Sequence, residues 1–344
     1  TYNGLGQLLT QTDAKLKTIT CSYDAKGRLT DKTGPGLTEQ YEYNDQSVSF
    51  GLLKKVTRNG VTETYTYDAQ GRPTSVNTVG AGKTFTTTYS YNSQQMLDIV
   101  NHPNGLSLKY EYDVVGNLTK ISSLGTNGTP TGIIWEGKNQ NDRQQWTDFE
   151  MSGGQIKTKW GYDETNYSLN SIKTGTDATV TNIQNLGFEF NSMGQLKKRT
   201  DGGLKDEFLY DDWNRLTTAT TTKVIGGNTT TSQFISSYQT NGNISGTSLA
   251  GTYDYDIKRP YAVSSVSSMQ KPTAIETTSS FTVDNRIDVM SKGTYKNEFA
   301  YGPSGNRFRV EYKKDGGTTG SKIYVGSSEY IYNANGDQLR SQTF

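Results

Sequence analysis

The amino-acid sequence predicts an all-β fold built from tandem antiparallel β-hairpins. Three observations lead to this prediction: a turn motif that recurs along the chain, strict alternation of side chains before each motif, and an unusual composition. Among 344 residues there are 37 Gly and 23 Tyr, and only 31% are hydrophobic. Much of the apolar surface must therefore come from tyrosine rings, whose hydroxyl groups still require hydrogen-bond partners. This composition favours thin β-layers close to water over a thick aliphatic core.

The recurring motif is an aromatic residue, then Asp or Asn, two or three variable residues, Gly, a polar residue and Leu. A clear copy runs from Tyr23-Asp24 to Gly27-Arg28-Leu29. An Asp or Asn side chain can accept a hydrogen bond from the backbone two residues on, and Gly adopts positive φ, so the motif predicts a turn. The candidate residues of this structural motif are Tyr23, Asp24, Gly27, Tyr67, Asp68, Gly71, Tyr112, Asp113, Gly116, Tyr210, Asp211, Tyr301 and Gly305.

The segments that precede the motifs alternate in the manner of half-buried strands. Leu106, Leu108, Tyr110 and Tyr112 share one parity, and polar residues occupy the other. Tight-turn signals such as Asn59-Gly60 lie between successive motifs. Strands and turns are therefore expected to alternate as hairpins throughout the chain.

The motif organises residues 1–344 as a single repeat array. The regular spacing of the motif is interrupted at about 119–160, where Trp135, Trp146 and Trp160 occur, and at about 217–237, which is rich in Thr. Irregular insertions are expected there. Since the sequence begins with neither Met nor a signal peptide, we expect it to be a segment of a larger protein.

The motif series resembles that of the YD-repeat, or RHS-repeat, family, which includes bacterial polymorphic toxins, toxin-complex and wall-associated proteins and, more distantly, teneurins. Two late segments strengthen this resemblance: residues 259–266, and 301–307 with the sequence Tyr-Gly-Pro-Ser-Gly-Asn-Arg. The resemblance implies a curved antiparallel ribbon that forms part of a spiral, hollow shell around a C-terminal payload. The Asp-Pro self-cleavage motifs of the family's closing region do not occur in this sequence, so neither autoproteolysis nor a payload is assigned to these residues.

Charge and cysteine content narrow the partners that can be expected. Lys and Arg total 35 and Asp and Glu total 34, scattered along the chain, so no field attracts nucleic acid from a distance. The single cysteine, Cys21, cannot form an internal disulfide, and it is expected to be a packed side chain. No stretch approaches the length of an apolar membrane span.

The residues that commonly carry chemistry are sparse, and none of them forms a recognisable catalytic pattern. His102 is the only histidine and precedes Pro103-Asn104-Gly105, so it is expected at a loop tip. The motif Asp residues occur once per hairpin, unlike calcium loops or paired glycosidase carboxylates. The segment Gly80–Thr84 lacks the spacing of a phosphate-binding loop. We therefore predict no catalytic residue, cofactor or metal site, and no enzymatic activity.

The expected function is that of a structural module of a secreted or surface bacterial protein, which encloses or presents a C-terminal toxin or effector domain. Its expected partners are the flanking shell and payload of the same polypeptide, with secretion machinery or surface glycans as further possibilities. The alternative is an adhesion module that binds glycans or partner cells. Exposure of Trp135, Trp146 and Trp160 would favour adhesion, and packing of these rings would favour enclosure.

Overall fold

The computed structural model of the chain describes residues 1–344 except 14, 46–48, 178, 258 and 268–277. In the described part almost every regular element is a β-strand, and the only helical pieces are the short 3-10 turns Ser152–Gly154 and Pro303–Gly305. The predicted all-β class is confirmed. No helix among the described residues is long and apolar enough to cross a membrane.

Successive strands pair in antiparallel fashion. Continuous pairing joins β1 through β10, β12 through β23, and β24 through β30. The first strands are β1 Thr10–Thr12, β2 Thr18–Tyr23, β3 Leu29–Gly34, β4 Leu37–Tyr43, β5 Leu53–Arg58, β6 Val61–Tyr67, β7 Pro73–Gly80, β8 Lys83–Tyr91, β9 Leu97–Asn101, β10 Ser107–Tyr112 and β11 Leu118–Leu124. The middle strands are β12 Pro130–Gln140, β13 Trp146–Met151, β14 Ile156–Tyr162, β15 Leu169–Gly175, β16 Gln184–Phe190, β17 Leu196–Asp201, β18 Leu204–Tyr210, β19 Leu216–Ile225, β20 Asn228–Tyr238, β21 Ile244–Thr247, β22 Gly251–Asp256 and β23 Arg259–Ser267. The last strands are β24 Thr278–Phe281, β25 Ile287–Lys292, β26 Tyr295–Tyr301, β27 Arg307–Lys314, β28 Gly317–Val325, β29 Ser328–Asn333 and β30 Gln338–Thr343.

Most motif aromatic residues end a strand at a register shift. Tyr23 pairs with Leu29 after a shift from the Ser22–Asp31 pair, and Tyr67 and Tyr210 show the same break. Such bulges bend a strand and increase its twist. The Leu of each motif starts the next strand, so one short sequence both closes a strand and fixes the register of its partner.

Two kinds of turn join the strands. The motif turns, called YD turns below, follow the strand that ends in the aromatic residue, for example at 24–28 and 68–72. The hairpin tips, which close the opposite ends of the strands, include 35–36, Asn59-Gly60 and 81–82. Because the chain reverses at every turn, YD turns line one edge of a run of hairpins and tips line the other.

The chain divides into two compact units. Unit 1 comprises Thr1–Tyr110, Ser123–Pro130 and Ile275–Phe344, and unit 2 comprises Glu111–Ser122 and Thr131–Ala274. Two buried apolar clusters lie in unit 1. The first contains Val61, Phe85, Phe308, Ile323, Val325, Tyr330 and Tyr332, and the second contains Ile19, Cys21, Leu37 and Val283.

The regions expected as insertions lie in unit 2 except for Ser123–Pro130, and both of them consist largely of paired strands. The tryptophans of 119–160 lie on β12, β13 and β14. Trp135 packs against Trp146 and Phe149, and Trp160 packs against Phe149, with ring centroids 5.1–6.0 Å apart. All three tryptophans are half-buried. The Thr-rich stretch 217–237 lies within the long hairpin β19–β20.

Candidate functional site: the YD turn and the seam

The Asp of the YD turn holds the turn closed with its own side chain. Asp24 Oδ1 accepts hydrogen bonds from the backbone N–H of Lys26 and of Arg28, each at 2.9 Å. Backbone bonds join Asp24 N to Arg28 O and Gly27 N to Asp24 O, both at 2.9 Å. Gly27 has φ +80°, a region that side chains with a Cβ enter at a cost. Asp and Gly are therefore required here by the geometry of the turn.

The same geometry recurs along the chain. Asp68, Asp113 and Asp211 each accept from the backbone N–H groups two and four residues on, at 2.9–3.0 Å. Asn191 accepts in the same way, at 3.0 Å. Of the other predicted motif residues, Gly71, Gly116 and Gly305 have φ values of +79°, +93° and +71°, and Tyr112 ends β10.

The hydroxyl of the motif tyrosine reaches back to the preceding YD turn. Tyr23 Oη donates to the backbone oxygen of Leu8 at 2.9 Å, and Tyr67 Oη donates to Leu53 O at 2.6 Å. Each acceptor oxygen belongs to the residue that directly follows a YD turn. Every such bond therefore joins two neighbouring repeats. Equivalent bonds run from Tyr43 to Leu29, Tyr91 to Pro73, Tyr162 to Trp146, Tyr210 to Leu196, Tyr238 to Leu216, Tyr255 to Ile244 and Tyr301 to Ile287.

An arginine adds a second link between neighbouring repeats. Arg28 Nε donates to Asp24 Oδ2 at 2.7 Å, and its guanidinium lies 4.5 Å from the ring centroid of Tyr43 in the next repeat. Cation–π contacts of this kind contribute about 0.5–1 kcal/mol at exposed sites. The same arrangement joins Arg72 to Asp68 and Tyr91, and Arg215 to Asp211 and Tyr238.

These bonds keep the motif carboxylates ionised. Hydrogen bonds from the backbone and side chain of Arg28 lower the pKa of Asp24, and the side chain of Arg215 lowers that of Asp211. A general acid at neutral pH needs a raised carboxyl pKa instead. The motif Asp residues are also held one per turn, and no group of three or more Cys, His, Asp or Glu that could bind a metal occurs among the described residues.

Sequence reasoning missed the role of the arginine, which was included only as a variable polar residue. The sequence contained the signal, because Arg28, Arg72, Arg215 and Arg286 each follow the Gly or Asn of their motif. It also missed a YD-type turn at Asn141, inside the region expected as an insertion. Asn141 Oδ1 accepts from the N–H groups of Arg143 and Gln145 at 3.0 Å, although Gln140 replaces the aromatic residue.

A second arrangement in unit 1 was not visible in the sequence. Hairpin tips of the first repeats meet YD turns of the last repeats, and we call this contact the seam. Arg58, beside the tip Asn59-Gly60, donates from Nη2 to Asp284 Oδ2 at 2.6 Å. Its Nη1 lies 3.6 Å from Glu39 Oε2, and both Arg58 and Glu39 are buried. Asp284 lies in the YD turn 282–286.

Apolar packing surrounds this ionic contact. Val283, next to Asp284, is buried with Ile19, Cys21 and Leu37, so Cys21 is a packed side chain. Gly80 ends β7 before the tip at 81–82, and a Cβ there would lie 2.6 Å from Cζ of Phe308. The segment Gly80–Thr84 is thus a hairpin tip whose glycine permits close approach of the last repeats.

The seam extends toward the C-terminal strand. Lys83 Nζ donates to Gly336 O at 3.4 Å, and Phe85 and Tyr330 have ring centroids 4.7 Å apart. His102 lies in the turn 102–106 between β9 and β10, where its backbone N–H donates to Leu106 O. Burial lowers the pKa of its imidazole. Asn104 Nδ2 donates to Thr343 Oγ1 at 2.9 Å.

The fold and these turns define an all-β protein of tandem YD hairpins. The family model described as RHS Repeat matches residues 49–84. Among solved structures, TcdB2-TccC3 without its hypervariable C-terminal region aligns with 96% of this chain at 14% identity and a TM-score of 0.79. The Photorhabdus luminescens Tc holotoxin pore aligns with 97% at 13% identity and a TM-score of 0.64.

The resemblance to the YD-repeat, or RHS-repeat, family is confirmed by the family match together with the shared fold. At these identities the structural likeness concerns the fold alone. The chain spans about a fifth of the length of the solved chains it matches, 20% and 21% respectively. No curated protein matches this sequence.

Proposed function

We propose that this chain is a wall segment of an RHS-type β-shell that encloses or presents a C-terminal toxin or effector domain. In this proposal it has no catalytic role. The observation that carries the proposal is the repeated Tyr–Asp–Arg linkage, because the side chains that recur most regularly are those that join one hairpin to the next. A series of hairpins linked at every YD turn is suited to forming a continuous barrier.

The composition of the sheets supports the same role. Most side chains of the described strands are half-buried rather than fully buried, as expected for sheets with little cover. Tyrosine suits this situation, since its ring covers apolar surface and its hydroxyl bonds to a backbone oxygen. Such a wall gains its stability from contacts between adjacent repeats, as other repeat proteins do.

The proposed partners are flanking repeats and a C-terminal payload of the same polypeptide. A matched solved structure is described as lacking a hypervariable C-terminal region, which is the kind of segment that a wall would accompany. Export to the bacterial surface or medium is part of the proposal. Secretion machinery is then a transient partner.

Protection from protease tests enclosure. The full-length protein that carries this array would be digested under native conditions, and mass spectrometry would follow the region C-terminal to the repeats. We expect that region to stay intact until denaturant opens the array. Its cleavage while the repeats remain whole would mean that the array displays its cargo instead.

A matched variant makes the test specific to the wall. Replacing Asp284 with Ala leaves the buried Arg58 without its closest anionic partner and weakens the seam, whereas replacing the exposed Asp212 with Ala does not. If the array encloses the C-terminal region, that region should be cleaved earlier in the Asp284→Ala variant but not in the Asp212→Ala variant. Equal cleavage in both variants would argue against a protecting wall.

The competing adhesion role relied on exposed tryptophan rings. Trp135, Trp146 and Trp160 instead pack against one another or against Phe149, and all three are half-buried. This packing favours the enclosing role. Glycan-array binding by the isolated chain would reverse that preference.

A further inference from the structure

The seam in unit 1 shows how a YD turn can contact a hairpin tip. Thr282 and Asn285 frame two variable residues in this turn. The first, Val283, is 3% exposed and packs among aliphatic side chains beside one tip. The second, Asp284, pairs with Arg58 at the next tip. One apolar and one acidic residue thus form the turn's half of the contact.

Unit 2 contains the same turn, but no other hairpin in the described part of the chain covers its apolar residue, whose ring centroid lies 5.8 Å from the guanidinium of Arg215 in the same turn. Asn214 has φ +63°, close to the +59° of Asn285, and Arg215 follows it as Arg286 follows Asn285. The two variable positions hold Asp212 and Trp213, an acidic and an apolar residue in the reverse order of Val283 and Asp284. Trp213 is 77% exposed, although large apolar side chains are usually covered.

The adjacent YD turn extends this exposed apolar surface. Met193 lies in the turn 191–195 and is 67% exposed. Gln195 Nε2 donates to Asn214 O at 3.4 Å, which ties the two turns together. Met193 and Trp213 are therefore presented by two linked turns at one edge of unit 2, and we call them the turn patch.

The opposite edge of the same hairpins presents a complementary surface. Val224 and Ile225 end β19 at a hairpin tip and are 48% and 62% exposed. The exposed Lys223 precedes them, and Val224 N donates to Gly203 O at 2.8 Å, which anchors this tip to its neighbour. A cation beside aliphatic residues at a tip is also what Arg58, Ile19 and Leu37 provide in the seam. We call Lys223, Val224 and Ile225 the tip patch.

We propose that unit 2 binds a second copy of this chain through a contact like the seam, with the turn patch of one copy packed on the tip patch of the other. Asp212 then faces Lys223 across the contact, as Asp284 faces Arg58 within unit 1. The two patches differ and lie at opposite edges, so the contact is heterologous and continues head to tail. This association depends on the repeat fold and not on any enclosed payload.

Sedimentation velocity on the full chain, over a concentration series, tests the proposal. The unsubstituted chain is expected to form species larger than a monomer as its concentration rises. Replacing both Met193 and Trp213 with Ser removes the turn patch, and replacing both Val224 and Ile225 with Ser removes the tip patch. Each pair of changes should weaken association at least roughly tenfold, since aromatic and aliphatic anchors dominate such contacts.

Mixing the two double variants gives the sharpest result. The tip-patch variant keeps an intact turn patch, and the turn-patch variant keeps an intact tip patch. The intact turn patch of one variant can then bind the intact tip patch of the other, and no further copy can be added through these patches. At a concentration where each variant alone is largely monomeric, the mixture should contain a dimer of one copy of each variant.

Leu209→Thr is the matched control, because Leu209 is exposed on β18 outside both patches. Its association should equal that of the unsubstituted chain. A chain that stays monomeric throughout the series, or double variants that associate unchanged, would overturn the proposal. Either result would leave enclosure untouched, because protease protection of a C-terminal region tests that role separately.

Discussion

The YD turn at 282–286 in unit 1 and the one at 211–215 in unit 2 share their backbone but not their surroundings. Both have an Asn with positive φ followed by an Arg whose guanidinium lies over a tyrosine ring. In the first turn the two variable residues are buried or ion-paired against hairpin tips, and in the second they are exposed. The recurring residues therefore set the local fold, and the variable pair sets what the turn contacts.

The largest expected effect in this comparison comes from the acidic residue. Asp284→Ala leaves the buried Arg58 without its closest partner, and breaking a buried ion pair costs about 3–5 kcal/mol. Asp212→Ala removes an exposed carboxylate and should change the free energy of unfolding by less than about 0.5 kcal/mol. Urea unfolding of both variants checks the difference, and similar losses would mean that the seam does not depend on this ion pair.

The apolar residue of each turn gives the next effect. Val283→Ala removes two methyl groups from a buried cluster, so we expect a loss of about 2 kcal/mol. Trp213→Ala, at low concentration where the chain is monomeric, should cost less than about 0.5 kcal/mol. Thermal unfolding monitored by circular dichroism would measure both. A larger loss for Trp213 would show that the cation–π contact with Arg215, 5.8 Å from the ring centroid, stabilises the monomer.

Residues that the two turns share should behave alike. Tyr301→Phe removes the hydrogen bond to Ile287 O, which follows the turn 282–286, and Tyr238→Phe removes the bond to Leu216 O, which follows the turn 211–215. Each should cost about 1 kcal/mol, the usual net value of a hydrogen bond. If only one of the two substitutions is destabilising, the linkage between repeats is not uniform along the chain. Chemical denaturation of the pair provides the measurement.

The last effect is confined to acid. Burial opposes ionisation of Asp284, but hydrogen bonds from Thr282 and Arg58 outweigh it and lower the pKa to about 2. The unfolded value is about 3.9. The contribution of this carboxylate is therefore complete above about pH 4 and is lost as the pH falls towards 2.

A pH series compares Asp284→Asn with the unsubstituted chain. The variant should be the less stable protein at neutral pH and should lose less further stability between about pH 4 and pH 2. Asp212→Asn serves as the control and should follow the unsubstituted chain. Parallel curves for all three proteins would contradict the assigned pKa.

Much of the fold could be predicted because its determinants lie close together in the sequence. Asp24 bonds to groups two and four residues away, and the alternation before Tyr112 fixes which side chains share a face. The turn at Asn141 was missed because Gln140 and Gln144 replace the aromatic and glycine signals, although the amide side chain retains the geometry.

The sequence by itself determined the hairpins, their register and the YD turns, since these depend on strand alternation and on hydrogen bonds within a few residues. Only the tertiary structure decided which turns meet a partner. The bond between Arg58 and Asp284 joins residues 226 positions apart, and nothing in either segment alone identifies the other. A YD turn fixes its own backbone, but its variable residues are buried only where another segment of the chain packs on them. Val283 is therefore buried and Trp213 exposed on turns of the same design.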